Sequence, residues 1–170
     1  MFYITGDTHR DFERIILFCI ENKTTKDDVL IILGDAGINY YGGIKDWYIK
    51  HYLNKLPITL FCIQGNHEQR PFNIKTYEEV EMFGAKVYFE KEFDNLLFAK
   101  DGEIYNFNGL ETTVIGGAYS IDKFYRIMNN LHWFKDEQPS DKIKKYVEKQ
   151  LKNRKWKIDL VLSHTCPFNY

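Results

Sequence analysis

The stretch IQGNHE (residues 63–68) joins an apolar run to a glycine, an amide, an imidazole and a carboxylate. A similar design, an apolar run broken by Gly-Asp, occurs in ITGDTH at residues 4–9 and in ILGD at residues 32–35. A fourth run, VLSH at residues 161–164, ends in a further histidine. Because the ends of parallel strands meet at one edge of an α/β sheet, these four segments predict a shared site there.

Around these segments, the spacing of apolar residues predicts alternating strands and helices in the first half of the chain. Strands are expected at residues 2–5, 29–33 and 58–63, and helices at residues 11–22, 44–56 and 76–83. Such alternation favours parallel strands with helical crossovers. The second helix is expected to bury one apolar face, whose members recur at helical spacing. They are Ile44, Trp47, Tyr48 and Tyr52.

From residue 86 the pattern changes to short strands joined by turns. Strands are expected at residues 87–89, 96–99, 103–107 and 112–115. Asp-Gly at residues 101–102 and Asn-Gly at residues 108–109 predict hairpins, since these dipeptides adopt the positive φ angles of tight turns. The strands therefore predict a second, antiparallel sheet. A long loop through Trp133, a helix at residues 140–154 and a strand at residues 158–162 are expected to follow.

The composition is that of a folded domain from a reducing compartment. With 170 residues, 44% of them hydrophobic and 16% aromatic, the chain is expected to form a single globular α/β domain over residues 1–170. Its three cysteines, Cys19, Cys62 and Cys166, have no metal-type or redox-type spacing, which indicates a cytoplasmic location. No apolar run approaches the roughly 20 residues that span a bilayer, so neither secretion nor membrane insertion is expected.

The polar residues of the four segments have the chemistry of a metal site. Asp7 and His9 lie two residues apart on one loop. Asp35 adds a carboxylate that can bridge two cations, because each oxygen keeps a lone pair free for a different ion. Asn66 offers a carbonyl oxygen and His164 a nitrogen. This donor set suits Mn²⁺, Fe or Zn²⁺ better than a soft thiolate site does.

The metal site predicts a reaction. Two divalent ions, Mn²⁺ in the first instance, would clamp a phosphate and lower the pKa of a bridging water, so that a metal-activated hydroxide attacks phosphorus. His67 has a separate task, because its imidazolium would donate to the leaving oxygen or stabilise developing charge. Asp35 or Asp7 would orient or charge nearby imidazoles. The sequence thus predicts hydrolysis of a phosphomonoester or phosphodiester.

Each of these residues also has an ordinary structural explanation. Asp7 and Asp35 would serve as loop or helix-capping carboxylates, and Asn66 as a turn residue with a left-handed backbone. His164 would be a hydrogen-bonded structural histidine at a strand end. The remaining candidates are expected to be structural, exposed or supporting: His51, His132 and Glu68.

Together the four segments resemble those of the calcineurin-like metallophosphoesterases. Gly-Asn-His-Glu at residues 65–68 is the most specific element, and residues 116–123 with Arg126 are similar to a segment of small bacterial and phage members. The resemblance implies a four-layer α/β/β/α sandwich of two mixed sheets flanked by helices, with a dinuclear site between the loops. It also implies the site residues: Asp7 and His9 on the first ion, Asp35 as the bridge, Asn66 and His164 on the second ion, and His67 as the catalytic imidazole.

Three departures from the family pattern are visible. Arg10 stands where the family usually has glycine, and would narrow the entrance or add a phosphate contact. The family often has an aspartate or similar polar residue shortly after the second Gly-Asp, and Ala-Gly-Ile-Asn at residues 36–39 leaves that role vacant. No Gly-x-His-x-His follows His164, so the resemblance implies a domain without its C-terminal strands and one ligand short at each ion. The alternative function is therefore a non-catalytic phosphate- or partner-binding module with a degenerate metal site.

The expected partner is a phosphate ester substrate. Nucleic acid stays open as a substrate, since the same metal clamp cleaves phosphodiesters, but a net charge of −1 gives no field that favours it. The basic cluster at residues 142–157 is typical of a solvated helix face. No membrane partner is expected, and the sequence leaves the oligomeric state open.

Overall fold

The structure, a computed structural model, describes residues 1–166 and contains two mixed sheets and four α-helices within that range. The strands are β1 (Phe2–Thr5), β2 (Val29–Ile32), β3 (Thr59–Cys62), β4 (Glu78–Met82), β5 (Ala85–Glu90), β6 (Phe93–Ala99), β7 (Ile104–Phe107), β8 (Leu110–Ile115) and β9 (Leu160–Ser163). The helices are α1 (Glu13–Asn22), α2 (Gly43–Leu53), α3 (Lys123–Met128) and α4 (Asp141–Asn153), and a 3₁₀ turn spans Pro71–Asn73. The expected α/β sandwich of two mixed sheets is confirmed.

The first sheet has six strands in the order β1-β2-β3-β6-β5-β4. Strands β1, β2, β3 and β6 run parallel, whereas β5 and β4 run antiparallel to their neighbours. All four residues of β2 are buried, as expected for a strand covered on both faces. The predicted parallel start of the fold is therefore confirmed.

The second sheet has three strands in the order β7-β8-β9. Strands β7 and β8 form the hairpin predicted at residues 108–109, where Asn108 and Gly109 both have positive φ. Strand β9 adds to β8 in parallel, so the second sheet is mixed, as the family resemblance implied, and the expected antiparallel pairing holds for β7 and β8. The strands expected at residues 87–89 and 96–99 form β5 and β6, which belong to the first sheet and not to the second. Strand β6 is buried along nearly its whole length, as fits an interior position in that sheet. The turn at residues 101–102 carries the chain between the sheets and is no hairpin.

The helix predicted at residues 76–83 was also wrong, since this segment forms strand β4. It pairs with β5 from Glu78↔Phe89 to Met82↔Ala85. Phe83 and Gly84, both with positive φ, make the tight turn between the two strands. Local helix preference is a weak effect, and the ladder of backbone hydrogen bonds to β5 overrides it.

Helix α2 forms where predicted but buries a different face. Ile44 and Tyr48 are mostly exposed, whereas Asp46, Lys50 and Leu53 are buried. Burial of the two charged residues is compensated by partners. Lys50 Nζ lies 2.6 Å from Glu90 Oε2, and Asp46 accepts hydrogen bonds from backbone N–H groups in the loop before the helix. Apolar spacing alone misplaces such a face, because it treats every charge as solvated.

The core has two parts that lie on opposite faces of the first sheet. Residues from α1 and α2, among them Ile15 and Leu53, pack on one face of β2, β3 and β6. The other face contacts the second sheet, with Phe61, Tyr105 and Phe107 in edge-to-face or stacked contact. Helix α4 packs against the turn between β6 and β7. No helix within residues 1–166 has the length and apolar character needed to cross a bilayer.

Candidate metal centre

The four segments singled out by sequence meet at the C-terminal ends of β1, β2, β3 and β9, around the carboxylate of Asp35. Its Oδ2 atom lies 3.8 Å from His9 Nε2, 4.0 Å from His67 Nε2 and 3.7 Å from His164 Nε2. Its Oδ1 atom accepts the backbone N–H of His67 at 2.9 Å. One oxygen of this buried carboxylate is therefore held by the backbone, while the other faces three imidazoles.

Two glycines allow these loops to come so close. A Cβ atom at Gly65 would overlap the side chain and backbone of Asp35, and one at Gly34 would overlap the ring of His164. Gly34 also has φ +98°, a conformation that L side chains rarely adopt. The glycines of the second and third segments are therefore needed for packing within the site, whereas Gly6 of the first segment has open space around it.

The histidine after β9 is oriented by the backbone. His164 Nδ1 lies 2.8 Å from the carbonyl oxygen of Leu33, so Nδ1 carries the hydrogen and donates it. In the neutral ring Nε2 then keeps a lone pair, and this atom lies 2.8 Å from Asn66 Oδ1. A metal-binding histidine typically donates its other N–H to a carbonyl or carboxylate in this way.

These donors fit a divalent cation. Asn66 Oδ1 and Asp35 Oδ2 present lone pairs, and His164 Nε2 presents one when its ring is neutral. Ligand atoms of Asp7, Asp35 and His164 also lie within 4.8 Å of one another. Converging lone pairs repel unless a cation binds among them, and oxygen and imidazole donors suit Mn²⁺, Fe or Zn²⁺. Which residue holds which ion stays a prediction.

The first segment forms the open side of the centre. The side chains of Asp7 and His9 are 43% and 58% exposed, against 3% for Asp35. His9 Nε2 lies 3.5 Å from Asp7 Oδ2, and the His9 backbone N–H donates to the Asp35 carbonyl at 2.8 Å. His9 and Asp35 both have positive φ, the type of strain that collects at functional sites.

The role of Glu68, left open by the sequence, is to tie two loops together. Its side chain is fully buried and accepts the backbone N–H of Gly65 at 3.0 Å and of Gly37 at 3.3 Å. Burial raises the pKa of Glu68 to about 8, while these N–H groups oppose the rise by favouring the carboxylate. Glu68 therefore supports the loops of Asp35 and Asn66 and does not face solvent.

His67 lies beside two arginines at the rim. A cavity of about 170 Å³ is lined by Arg10, Arg126 and Tyr40 together with His9, Asp35 and His67. Arg126 Nη2 lies 3.4 Å from His67 Nε2, and Arg126 is held by Asp122 at 2.8 Å. Burial lowers the pKa of His67; the Asp35 carboxylate opposes this shift and Arg126 adds to it.

Arg10, which stands where the family usually has glycine, lines this cavity. Its guanidinium group lies over the rings of Tyr40 and Tyr41 and donates to the Tyr41 hydroxyl. The two histidines expected to be structural or exposed are both exposed. His51 stacks on Trp47, and His132 packs edge-on against Tyr40.

Sequence reasoning missed the support supplied by residues 117–137, which we call the arm. Ser120 Oγ accepts from Asn66 Nδ2 at 2.8 Å, and Glu137 Oε2 lies 2.6 Å from Ser120 Oγ. Both residues are buried. Ser120 falls inside the segment quoted for the family resemblance, but neither spacing nor pattern connects Glu137, 71 positions after Asn66, to the site.

Comparison with known proteins supports the same chemistry. The calcineurin-like phosphoesterase family model matches residues 1–168. No curated protein and no solved structure gives a significant match. The family match indicates metal-dependent hydrolysis of phosphoesters and agrees with the mixed α/β sandwich and its Asp/His cluster. The chain belongs to the calcineurin-like phosphoesterase family.

Proposed function

We propose that this protein is a hydrolase that cleaves a phosphomonoester or phosphodiester with the help of two divalent metal ions. The observation that carries the proposal is the convergence of three potential ligand atoms, Asp35 Oδ2, Asn66 Oδ1 and His164 Nε2, beside His67. This cluster offers a cation site next to a titratable imidazole.

The proposed ion ligands follow from the position of Asp35 Oδ2 among the imidazoles. When bound, the ions would supply Lewis acidity that neutralises phosphate charge and lowers the pKa of an attacking water. Mn²⁺ is our first choice, with Fe or Zn²⁺ as alternatives that the same donors accept. We assign the first ion to Asp7, His9 and Asp35, and the second to Asp35, Asn66 and His164.

The rim residues would bind and orient the phosphate. Arg10 and Arg126 line the same cavity as His67, so their guanidinium groups are available to phosphate oxygens, which they match in geometry. At about 170 Å³ the cavity is smaller than the roughly 300–1,000 Å³ of pockets that enclose drug-sized ligands. We infer that it takes the phosphoryl group and that the leaving group stays near Tyr40 at the rim.

His67 would hold the proton for the leaving oxygen. Burial lowers the pKa of His67, which favours the neutral imidazole before substrate binds. A phosphate dianion beside the ring would favour the imidazolium and offset the effect of burial. His67 would then donate from Nε2, the atom that faces Asp35 Oδ2 at 4.0 Å.

A second candidate is a phosphate- or partner-binding module without catalysis. The observation in its favour is that each proposed ion has only three ligands among residues 1–166. At the first ion, two of these three ligands, Asp7 and His9, are half-exposed. This alternative predicts fewer than two bound ions and phosphate binding that a chelator does not affect.

A direct test is hydrolysis of p-nitrophenyl phosphate and bis-p-nitrophenyl phosphate by the full chain with Mn²⁺ and with EDTA. We expect Mn²⁺-dependent turnover, lowered on the order of 10³-fold by Asp35→Asn, because the bridging carboxylate supports charge stabilisation worth about 4 kcal/mol. Asp94→Asn, at an exposed carboxylate paired with Lys26, is the matched control and should leave turnover unchanged. Turnover by Asp35→Asn equal to that of the wild type would overturn the proposal.

The two substrates also address the partner. Activity on the diester would keep nucleic acid as a candidate substrate, whereas activity on the monoester alone would favour small phosphate esters. A nucleic acid substrate would have its phosphates near the five lysines of helix α4, which are Lys142, Lys144, Lys145, Lys149 and Lys152.

We propose a cytoplasmic location, since among residues 1–166 Cys19 and Cys62 are buried thiols and Cys166 is a free, exposed one.

A further inference from the structure

We propose that Ser120 and Glu137 are positioning residues that fix the side-chain amide of Asn66, so that its oxygen faces the metal centre and its nitrogen faces away. This inference rests on the proposed metal-dependent function. It concerns two residues of the arm that come from far along the chain and touch neither the proposed substrate cavity nor an ion ligand other than Asn66.

The hydrogen-bond chain is short and buried. Asn66 Nδ2 lies 2.8 Å from Ser120 Oγ, which lies 2.6 Å from Glu137 Oε2. Ser120 is 2% exposed and Glu137 is 4% exposed. Glu137 also accepts from Trp133 Nε1 at 2.8 Å and from the Ser120 backbone N–H at 3.3 Å. These hydrogen bonds are therefore shielded from water, which would otherwise compete for the same donors and acceptors.

The chemistry of this chain determines its direction. An indole N–H and a backbone N–H can only donate, so the Glu137 carboxylate acts as the acceptor of both. The single hydroxyl hydrogen of Ser120 then goes to Glu137, and Ser120 Oγ has only lone pairs left for Asn66. The Asn66 atom that meets Ser120 must therefore be the NH₂ group.

Its opposite amide atom is consequently the oxygen. Asn66 Oδ1 lies 2.8 Å from His164 Nε2, where the proposed ion would bind. The second hydrogen of the NH₂ group faces His67, whose Nε2 atom lies 3.2 Å from Asn66 Nδ2. A rotated amide would place a donor at the proposed ion and its oxygen beside His67 Nε2, where that oxygen would compete with the substrate for the Nε2 hydrogen. Both sides of the site therefore depend on one amide orientation.

The test measures Mn²⁺ binding to metal-stripped protein by isothermal titration calorimetry, with thermal unfolding of each variant in EDTA. Ser120→Ala removes the acceptor of the Asn66 NH₂ group and should weaken the second ion about 10- to 100-fold, the usual effect of losing a group that orients a metal ligand. The first ion should be unaffected. Ser120→Thr keeps the hydroxyl and should restore most of the affinity.

A second variant and a control make the result decisive. Glu137→Met keeps the length of the side chain but removes the acceptor, so it should weaken the second ion as Ser120→Ala does. Thr113→Val removes a buried hydroxyl in the second sheet, Thr113 Oγ1 to the Glu103 carbonyl, and should lower thermal stability without changing either affinity.

The outcomes separate this inference from the proposed function. If the wild type binds two ions and Ser120→Ala binds the second one within twofold of the wild type, the positioning role is overturned while the metal-dependent function stands. If the wild type binds no divalent ion, both are overturned. If Thr113→Val also loses Mn²⁺ affinity, and the loss in each variant follows its loss of thermal stability, the effect of Ser120→Ala is one of stability and the positioning role is overturned.

Discussion

The candidate metal centre is built from two regions that hold their residues in different ways. One is the set of strand-end loops at residues 5–10, 33–39, 63–68 and 163–164, and the other is the arm. The strand-end loops interlock through backbone groups, as in the His9 N–H to Asp35 carbonyl bond and the close approach of Gly65 to Asp35. The arm is more open, with Ile121 92% exposed and Met128 82% exposed. It reaches the proposed ligand and catalytic residues through two side chains, those of Ser120 and Arg126.

The difference separates making the site from tuning it. Backbone contacts between loops cannot change without moving the strands that carry them, so the loops couple the metal centre to the stability of the fold. Side-chain contacts from the arm orient an amide and bias an imidazole while the fold stays intact. We therefore expect changes in the loops to affect stability and function together, and changes at the arm residues that contact Asn66 or His67 to affect function more than stability.

The largest effect is expected for Gly65→Ala. The added Cβ atom would overlap Asp35, and because backbone as well as side chain is involved, the loops must separate. We expect the free energy of unfolding to fall by about 3 kcal/mol, the upper end of the usual cost of overpacking, together with loss of Mn²⁺ binding. Urea unfolding and Mn²⁺ titration measure the two effects.

Gly6→Ala is the control for this prediction, because a Cβ atom at Gly6 meets nothing within 4 Å. The sequence treats the first Gly-Asp like the second, so equal destabilisation by Gly6→Ala and Gly65→Ala would contradict the packing explanation. A stable Gly65→Ala protein with normal metal binding would remove the distinction between loops and arm.

A smaller effect, confined to function, is expected for Arg126→Met in the arm. Removing the guanidinium near His67 Nε2 takes away a positive charge that lowers the pKa of His67, so that pKa should rise. We expect kcat/KM to fall about 10- to 100-fold and its alkaline limb, which reports loss of the His67 proton, to move to higher pH, with unfolding unchanged. Ring titration of His67 by NMR in EDTA checks the direction of the pKa change.

Arg154→Met is the matched variant, since Arg154 forms an exposed pair with Glu111 at 2.6 Å away from the loops. It should leave the pKa of His67 and the pH profile unchanged. A change of the same size in the pKa of His67 in both variants would assign the effect to overall charge. No change in either variant would show that the arm does not influence His67.

Glu68 provides a pH test of the loops. Its folded pKa of about 8 lies above the unfolded value near 4.5, so the folded state keeps a proton that the unfolded state has lost between these values. Stability of the metal-free protein should therefore be greatest below pH 4.5 as far as Glu68 is concerned, and fall by up to about 1.4 kcal/mol per pH unit as pH rises towards 8. Urea unfolding in EDTA measures this slope, which Glu68→Gln should abolish.

The smallest effect is expected for Ile121→Ser on the exposed side of the arm. This residue is almost fully exposed, so its replacement should change the free energy of unfolding by less than about 0.5 kcal/mol. Metal affinity and kcat should stay at the wild-type level. A large loss of Mn²⁺ affinity would mean that the arm acts through more than Ser120 and Arg126.

Much of the fold could be predicted from local pattern. Strand β1 begins and ends at the predicted residues, β2 and β3 lie within their predicted ranges, and α4 lies inside residues 140–154. The errors fall where distant partners decide. Residues 78–82 form a strand because β5 pairs with them, and α2 buries Lys50 because Glu90 meets it.

The site could be predicted in its members more than in its geometry. The residues quoted from the four segments do converge on Asp35, because parallel strands bring their ends to one edge of a sheet. Ser120 and Glu137 could not be assigned, since a serine and a glutamate in a polar loop have no pattern that reveals burial. No sequence pattern reveals the burial of Glu68 either.

The sequence by itself determined which chemical groups this protein brings to the strand ends, because glycine, carboxylate and imidazole follow apolar runs at intervals that any parallel α/β sheet aligns. Only the tertiary structure decided which atoms of those groups face the centre. The Leu33 carbonyl fixes the nitrogen that His164 presents, and the arm fixes the oxygen that Asn66 presents. Those orientations depend on hydrogen bonds between residues 54 to 131 positions apart, and such distances leave no periodic trace in a sequence.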